Sequence, residues 1–412
     1  MKMVSRWLAA LAVLGLVAAA CASDDDPGTG STGGGSEAPA VDIVSEIGPT
    51  EDELNLIAWN GYTEDGTNYS SYDWVTPFED ESGCKVEVKY ADTSDEMVTL
   101  MRQGGDYDGV SASGDASNRL IAGGNVAAID PALFPEFASV IGPLNPEGGT
   151  NNSHYVVDGY VYGVPWMYGP NFLMYNADVV DPAPTSWDIT FEPESPYAGK
   201  LTAYDSPIYI ADAAMYLMAH NTELGIEDPY ELTPEQLDAA VELLKTQSDM
   251  ISKYWALYTD EIDGFVDGSM VAGTAWPINL TYAKADVNVQ AVIPDEGVTG
   301  WADTWMMNQD AANPNCMLAW MQYSLQPEVQ ATTGIFYGAA GSNVESCDLI
   351  AETLGKGGKE AIDTVEYSFC GNEDFLNSLY LWKTPQETNA EGQGGFTDYS
   401  VWSQSWTEIR GA

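Results

Sequence analysis

Basic residues and histidines are scarce in this chain of 412 residues. It contains 63 Asp and Glu against 14 Lys and Arg, a formal net charge of −49 at pH 7, and its two histidines are His154 and His220. Such an excess of negative charge would repel a polyanion, so the composition argues against a nucleic-acid partner. The same charge creates a field that attracts cations, which is compatible with a cationic ligand.

Sequence motifs that carry catalysis are also absent. The chain has no Gly-x-Ser-x-Gly, no His-Glu-x-x-His and no glycine-rich phosphate loop. Two histidines leave little material for a catalytic triad, and we interpret both as structural or surface groups. A hydrolase built on paired carboxylates stays open, because 63 acidic residues are available, although no pair stands out. We predict a protein that is not an enzyme and that uses no cofactor and no metal.

Long apolar runs are absent except near the N-terminus. The run over residues 7–20 follows two basic residues and is shorter than the roughly 20 residues that span a bilayer, but it is typical of a signal-peptide core. Small residues before Cys21 resemble a lipobox, so we predict a lipoprotein signal peptide over residues 1–20 and a lipid-modified Cys21. A plain secretory signal is the alternative. Polar, glycine-rich residues 21–50 predict a flexible tether to the membrane.

Cysteine is rare as well. Apart from Cys21, the chain has four cysteines, and an even number in an exported chain indicates two disulfides with three connectivities open. We favour Cys347–Cys370 together with Cys84–Cys316. No Cys-x-x-Cys and no Cys/His cluster indicates a metal site.

What is present is an α/β pattern with functional side chains at strand ends. Residues 54–111 follow a β-α-β-α-β rhythm, which predicts a mostly parallel sheet with helices on both faces. Ligands of such sheets bind at the carboxyl ends of strands. Each side chain at such a position is more often structural, but their recurrence predicts a binding site. The candidates are Trp59, Ser113, Asp115, Asp205, Trp276, Trp301 and Asp303.

Trp301 and Asp303 are the most specific pair among the candidate site residues. They stand two residues apart, so on an extended backbone both side chains point to the same face. An aromatic ring beside a carboxylate suits an organic cation, because the ring attracts the charge or packs on its methylenes and the carboxylate accepts its N–H groups. A buried Trp beside an N-capping Asp is the alternative interpretation.

Several segments together point to a family. They are 54–62 (LNLIAWNGY), 107–113 (YDGVSAS), 163–169 (GVPWMYG), 270–276 (MVAGTAW), 300–303 (GWAD) and the two predicted helices within 313–343. Over about residues 53–345 the chain resembles the spermidine/putrescine-binding family of the substrate-binding proteins of ABC importers.

The resemblance implies a two-lobed α/β fold of the periplasmic-binding-protein-like type II, with mixed, mainly parallel sheets and a ligand cleft between the lobes. The chain is long enough for two lobes. We assign residues 51–163 with 300–345 to lobe 1. Residues 164–299 with 346–412 are assigned to lobe 2 and the C-terminal helices.

The resemblance also implies a set of ligand contacts. Trp59 and Tyr62 match an aromatic pair of the first strand, Ser113 a binding serine, and Asp205 a carboxylate of the second lobe. The family's residues that hold the ligand amine are matched in this chain by Trp276, Trp301 and Asp303. Tyr337 lies near the position of a later ligand-binding tyrosine of the family. Asp115 and Trp166, the latter in the segment 163–169, are the remaining predicted ligand contacts.

Three positions depart from the family. Gly61 stands where the family commonly has Glu, Ile208 where it has a second carboxylate, and Asp115 where an aromatic residue is usual. The resemblance implies a monomeric receptor that captures a polyamine or related cation and delivers it to a membrane permease. Which polyamine it binds stays open. A receptor for a sugar or another solute, and a secreted hydrolase, are the alternatives.

Overall fold

The computed structural model describes residues 41–104, 107–355, 367 and 369–411, and residues from Asp42 onward form one compact unit. The predicted signal peptide, the lipid-modified Cys21 and residues 21–40 of the tether lie outside the described residues. No helix within the described ranges has both the length and the apolar character needed to cross a membrane.

The described strands form three sheets. In chain order the strands are β1 Ile43–Val44, β2 Glu53–Trp59, β3 Lys85–Ala91, β4 Gly109–Ala112, β5 Ala128–Ile129, β6 Val156–Val157, β7 Tyr160–Val161, β8 Val164–Pro170, β9 Phe172–Asn176, β10 Leu201–Tyr204, β11 Ile251–Trp255, β12 Ala272–Ala275, β13 Val289–Val292, β14 Thr299–Met307, β15 Ala340–Gly341 and β16 Tyr380–Leu381.

The helices pack around these sheets. In chain order the α-helices are α1 Val75–Ser82, α2 Ser94–Gln103, α3 Gly114–Ala122, α4 Asp188–Phe191, α5 Ile210–His220, α6 Pro234–Ser248, α7 Tyr258–Asp267, α8 Pro277–Ala283, α9 Pro314–Ser324, α10 Pro327–Tyr337, α11 Glu345–Thr353, α12 Glu373–Ser378 and α13 Tyr399–Arg410. Helix α6 illustrates how they begin: Thr233 and Gln236 form a capping box, and Pro occupies the first helical position.

The seven-stranded sheet has the order β15-β8-β14-β4-β2-β3, with β16 beside β14. Strand β2 runs parallel to both β3 and β4, as the β-α-β-α-β rhythm predicts. Strand β14 runs antiparallel to both β4 and β8, so the sheet is mixed. The long strand β14 is buried along its whole length, including its polar residues Thr299, Asp303 and Thr304.

The five-stranded sheet has the order β11-β10-β12-β9-β13. Strand β10 runs parallel to β11 and β12, whereas β9 runs antiparallel to β12 and β13. A smaller four-stranded sheet has the order β1-β5-β7-β6. The predicted α/β class with mixed sheets is therefore confirmed.

The sheets give a physical basis for dividing the chain. Strand β8 pairs in the seven-stranded sheet and β9 in the five-stranded one, with Asn171 between them. Residues 164–170, which the sequence analysis assigned to lobe 2, thus lie in the sheet of lobe 1. We propose Asn171 as the boundary. The C-terminal residues contact both lobes. Strand β16 pairs with β14 of the seven-stranded sheet, whereas α13 packs against α6, which lies in the range assigned to lobe 2.

Both favoured disulfides are present. Cys84 is bonded to Cys316 and Cys347 to Cys370. The first bond ties the residue before β3 to helix α9, across 232 positions of the sequence.

Candidate ligand-binding site

A small cavity lies where strands of the two larger sheets end, and its free space is about 10 Å³, about the room that one water molecule needs. A larger ligand would therefore enter only if the lining side chains move apart. The residues that line it are all buried, and Trp276, at 6% exposure, is the most exposed of them. They are Trp59, Tyr62, Ser113, Trp276, Trp301, Asp303, Tyr337 and Trp382.

Asp303 is the one carboxylate among the described residues that line the cavity. The Tyr62 hydroxyl donates a hydrogen bond of 2.6 Å to Oδ2, and the Ser113 hydroxyl donates to Oδ1. A carboxylate has about four lone-pair sites, so two hydrogen bonds leave it able to accept more. The N-capping role that the alternative interpretation gave to Asp303 does not apply, because the residue lies inside β14.

Burial raises the pKa of Asp303 to about 7. The hydrogen bonds from Ser113 and Tyr62 act in the opposite direction, because they favour the charged form, and the charge of Asp115 adds to the rise. A buried carboxylate without a paired cation is unfavourable. The site is therefore electrostatically prepared for a cation, which would stabilise the charged carboxylate.

The local backbone explains how Ser113 and Asp303 meet. Ser113 occupies the N-cap position of α3, yet its side chain makes no cap hydrogen bond and donates to Asp303 instead. On β14, the pairing register with β8 shifts between Ala302 and Thr304, which places an irregularity at Asp303. Such irregularities bend a strand and redirect a side chain next to functional sites.

Aromatic rings form the walls around the carboxylate. Trp59 and Trp276 meet edge to face with centroids 5.8 Å apart, and Tyr62 and Tyr337 lie 4.9 Å apart. Trp301 meets Tyr337 edge to face at 6.4 Å. The Tyr337 hydroxyl donates to the backbone carbonyl of Asn60, which fixes its ring. Rings packed around a buried carboxylate suit an alkylammonium ion.

Two glycines allow these rings to pack closely. Gly61 has a φ of +88°, and a Cβ atom there would lie 2.8 Å from the Phe336 ring. A side chain at position 61 would therefore clash with that ring and strain the backbone. A Cβ on Gly169 would lie 2.8 Å from the Trp301 ring, so the Trp301 indole rests directly on that backbone.

Trp382 is the cavity residue that sequence reasoning missed. It follows β16, and its backbone N–H donates to the Gly300 carbonyl with a distance of 2.8 Å. Its ring stacks on Tyr204 with centroids 5.7 Å apart. No sequence signal near Trp382 marks it as a site residue, because only the pairing of β16 with β14 brings it to the cavity.

Three predicted site residues do not line the cavity. Trp166 is fully buried behind it, with its ring 6.2 Å from that of Tyr62 and 6.3 Å from that of Trp305. Asp115 is also fully buried, in the first turn of α3, where it accepts a hydrogen bond of 2.8 Å from Ser94. Burial raises the pKa of Asp115 to about 6.

Asp205 is the third predicted site residue that does not line the cavity, and it is bound by side chains of the C-terminal helix α13. Its carboxylate accepts hydrogen bonds from the Trp406 indole at 3.0 Å and from the Arg410 guanidinium at 3.1 and 3.3 Å. The side chains of Asp205 and Arg410 are about one-third exposed, so this is a partly exposed ion pair. The predicted second-lobe carboxylate thus has a local cation as its partner.

The two histidines lie away from the cavity lining, as the sequence analysis interpreted them. His154 is buried, and burial lowers its pKa to about 4. His220 lies at the surface, where its Nε2 is 2.8 Å from Glu296 and 3.8 Å from Asp188. These three groups are close enough to share a metal ion. Their separation in the sequence is too large for motif reasoning to have found them.

The comparisons with known proteins agree with this architecture. A model of the bacterial extracellular solute-binding protein family matches residues 73–351. The putrescine/agmatine-binding protein of Pseudomonas aeruginosa is 25% identical over 345 residues, covering 76% of this chain and 87% of that protein. The spermidine/putrescine-binding periplasmic protein of Escherichia coli is 23% identical over 283 residues, covering 68% and 75%.

A solved structure shares the fold. The spermidine/putrescine ABC transporter substrate-binding protein PotD of Streptococcus pneumoniae superposes with a TM-score of 0.62 at 18% identity, covering 87% of this chain and 99% of that chain. This likeness confirms the predicted two-lobed α/β fold.

Proposed function

The chain belongs to the bacterial extracellular solute-binding proteins, and on this premise we propose that its solute is an organic cation, a polyamine or a related amine, held by Asp303. The family and its relatives are substrate-binding proteins of transporters, so the prediction that the chain is not an enzyme is confirmed. It serves an ABC importer by binding a small ligand outside the cytoplasm and delivering it to the permease.

The observation that carries the proposal is a single buried carboxylate inside aromatic walls. Asp303 is 3% exposed, and no Lys or Arg is among the described residues that line the cavity. A positively charged ligand would supply the missing partner, and the rings would attract the same charge through their faces. The names of the relatives, which are putrescine- and spermidine-binding proteins, support an amine.

Calorimetric titration tests the amine. We expect binding by at least one of butylamine, putrescine and spermidine, and its loss in Asp303→Asn. A native mass spectrum of the protein purified without denaturation adds an independent readout, because tight ligands often co-purify. Saturable binding of a neutral sugar together with no binding of any amine would overturn the proposal in favour of the sugar-receptor alternative.

We also propose that the protein is a monomeric lipoprotein anchored at the outer face of the cell membrane or in the periplasm. The lipobox-like residues before Cys21 and the glycine-rich residues that follow support it. Cys21→Ser is expected to release the protein from the membrane fraction while ligand binding stays intact. A variant that stays in the membrane fraction would contradict the anchor.

A further inference from the structure

We infer that the ligand carries a single positive charge and that its other end bears a neutral hydrogen-bond acceptor, as in an amino alcohol, rather than a second ammonium group. This inference rests on the proposed function, because it assumes that Asp303 binds an ammonium ion. It narrows the class of ligand, and it differs from the polyamines named for the relatives.

Charge balance in the cavity is the reason to expect a ligand with a single positive charge. A diamine brings two positive charges, and each needs an anion once it is removed from water. Among the described residues that line the cavity, Asp303 is the one anion. All eight lining residues are buried, so a ligand inside would be shielded from solvent. A second ammonium group there would have no carboxylate to pair with.

The other acids that sequence reasoning offered are engaged elsewhere. Asp205 is held by Arg410 and Trp406. Asp115 accepts from Ser94, and its second oxygen lies 3.9 Å from the Arg119 guanidinium. Ile208, which lies shortly after Asp205, is aliphatic and buried, so it supplies no charge.

A further carboxylate, Asp92, lies near enough to need a test. It lines a small neighbouring cavity, which shares Trp59, Trp276 and Tyr337 with the first cavity. The Oδ1 atom of Asp92 accepts a hydrogen bond of 2.9 Å from Asn60. Because the three shared rings stand between the two spaces, Asp92 provides a control position outside the proposed site.

Unpaired indole N–H groups are the reason to expect a neutral hydrogen-bond acceptor on the ligand. The indole nitrogens of the four lining tryptophans, Trp59, Trp276, Trp301 and Trp382, are buried and have no hydrogen-bond partner in the described part of the chain. Among the other described tryptophans, five donate a hydrogen bond from the indole and three do not. Unpaired indoles are therefore concentrated at the cavity.

A diamine would leave these groups unsatisfied. An indole N–H only donates, and so does an ammonium group, so neither serves as a partner for the other. A buried donor without an acceptor is unfavourable. A hydroxyl or carbonyl oxygen on the ligand would accept from an indole, whereas a carboxylate would add a negative charge to a site that already holds Asp303.

The test compares ligands that share a four-carbon chain and differ at one end. They are 4-aminobutan-1-ol, butylamine, putrescine and 4-aminobutanoate, each titrated calorimetrically at pH 8 and repeated with three- and five-carbon homologues. We expect the amino alcohol to bind most tightly, and putrescine and the amino acid to bind at least tenfold more weakly. A tightest affinity for putrescine, for the amino acid or for butylamine would overturn the inference.

Variants locate the two ends of the ligand. Trp→Phe at each of the four lining positions keeps a ring but removes the indole N–H. At least one such variant is expected to weaken the amino alcohol about two- to tenfold more than it weakens butylamine, the range for a lost hydrogen bond. Asp92→Asn is expected to leave every affinity unchanged. If all four Trp→Phe variants bind the amino alcohol like the wild type, or if Asp92→Asn abolishes putrescine binding, the inference is wrong.

The outcomes also separate this inference from the proposed function. A preference for putrescine that depends on Asp303 overturns the inference and leaves the amine receptor standing. Binding of no amine by the wild type, or amine affinities that Asp303→Asn leaves unchanged, overturns the proposed function itself. Thermal melts of each variant without ligand show whether a lost affinity reflects unfolding.

Discussion

The two sides of the cavity are built very differently. The side of the seven-stranded sheet supplies both oxygens of Asp303, their donors Tyr62 and Ser113, and most of the rings. The side of the five-stranded sheet supplies one described lining residue, Trp276, which follows β12. The nearest predicted carboxylate on that side, Asp205, faces Arg410.

This difference indicates that the two sides of the cavity have different roles in ligand binding. Asp303 and both of its hydrogen-bond donors belong to one side, whereas Trp276 completes an apolar wall from the opposite side. We propose that the side of the seven-stranded sheet recognises the ammonium group first. The opposite side would then close, exclude water and strengthen the ion pair.

Asp303→Asn is expected to have the largest effect. It removes the charge but keeps the shape, and it should cost roughly 2–5 kcal/mol of amine binding, the range for truncating a buried charge pair. Because burial raises the pKa of Asp303 to about 7 in the folded state, the ligand-free protein loses stability from this group as pH rises from about 4 to 7. At pH 8, therefore, the variant should melt no lower than the wild type. A variant that melts lower and binds normally would assign Asp303 a structural role.

Acidification is expected to weaken binding through the same group. With a raised pKa of about 7 for Asp303, protons compete with the cation, and affinity should fall roughly tenfold for each pH unit below that value. Binding near pH 7 should also release protons, which calorimetry in buffers of different ionisation enthalpy detects. Asp303→Asn is the matched control and should lose this pH dependence. A pH-independent affinity of the wild type between pH 5 and 8 would contradict the assignment.

Trp301→Ala and Trp276→Ala compare the two sides directly. Loss of the Trp301 ring should cost about 0.5–2 kcal/mol from its attraction to the cation, in addition to lost apolar contact. For Trp276→Ala we expect a faster dissociation rate and an unchanged association rate, because this ring joins after the ligand has docked. Stopped-flow fluorescence measures both rates. Slower association in Trp276→Ala with unchanged dissociation would break the proposed order of contacts.

Asp205→Asn is expected to have the smallest effect. Its ion pair with Arg410 is partly exposed, and such pairs contribute about 0–1 kcal/mol to stability. We expect a small decrease in the free energy of unfolding, measured by urea titration, and unchanged amine affinity. A tenfold loss of affinity would show that Asp205 leaves Arg410 to contact the ligand, and the comparison between the two sides would then fail.

Local patterns were sufficient to predict part of this site. Trp59 ends a strand of the larger sheets, Ser113 and Trp276 directly follow strands, and Trp301 and Asp303 share one strand. Strand periodicity and the rule for ligand positions in such sheets therefore placed them together. The same reasoning failed to separate Asp115 and Asp205 from the cavity. Their partners, Arg119 on the same helix and Arg410 on the last one, neutralise them through contacts that a strand-end rule does not include.

Other features depend on contacts that only the folded chain makes. Trp382 reaches the cavity because a two-residue strand pairs with β14, and so short a strand has no recognisable pattern. Residues 164–170 were assigned to the second lobe from the sequence. In the structure these residues form a buried strand, in which Gly169 accommodates the Trp301 ring.

The hydrogen bonds to Asp303 also determine when the site is assembled. Its donors Tyr62 and Ser113 precede it by 241 and 190 positions, so ribosomes synthesise both donors and all five strands of the second large sheet before the acceptor. Trp382 is made later still. Contacts this distant in sequence form slowly, because long loops must close first. A chain synthesised only as far as Trp301 therefore holds both donors of the site without their acceptor.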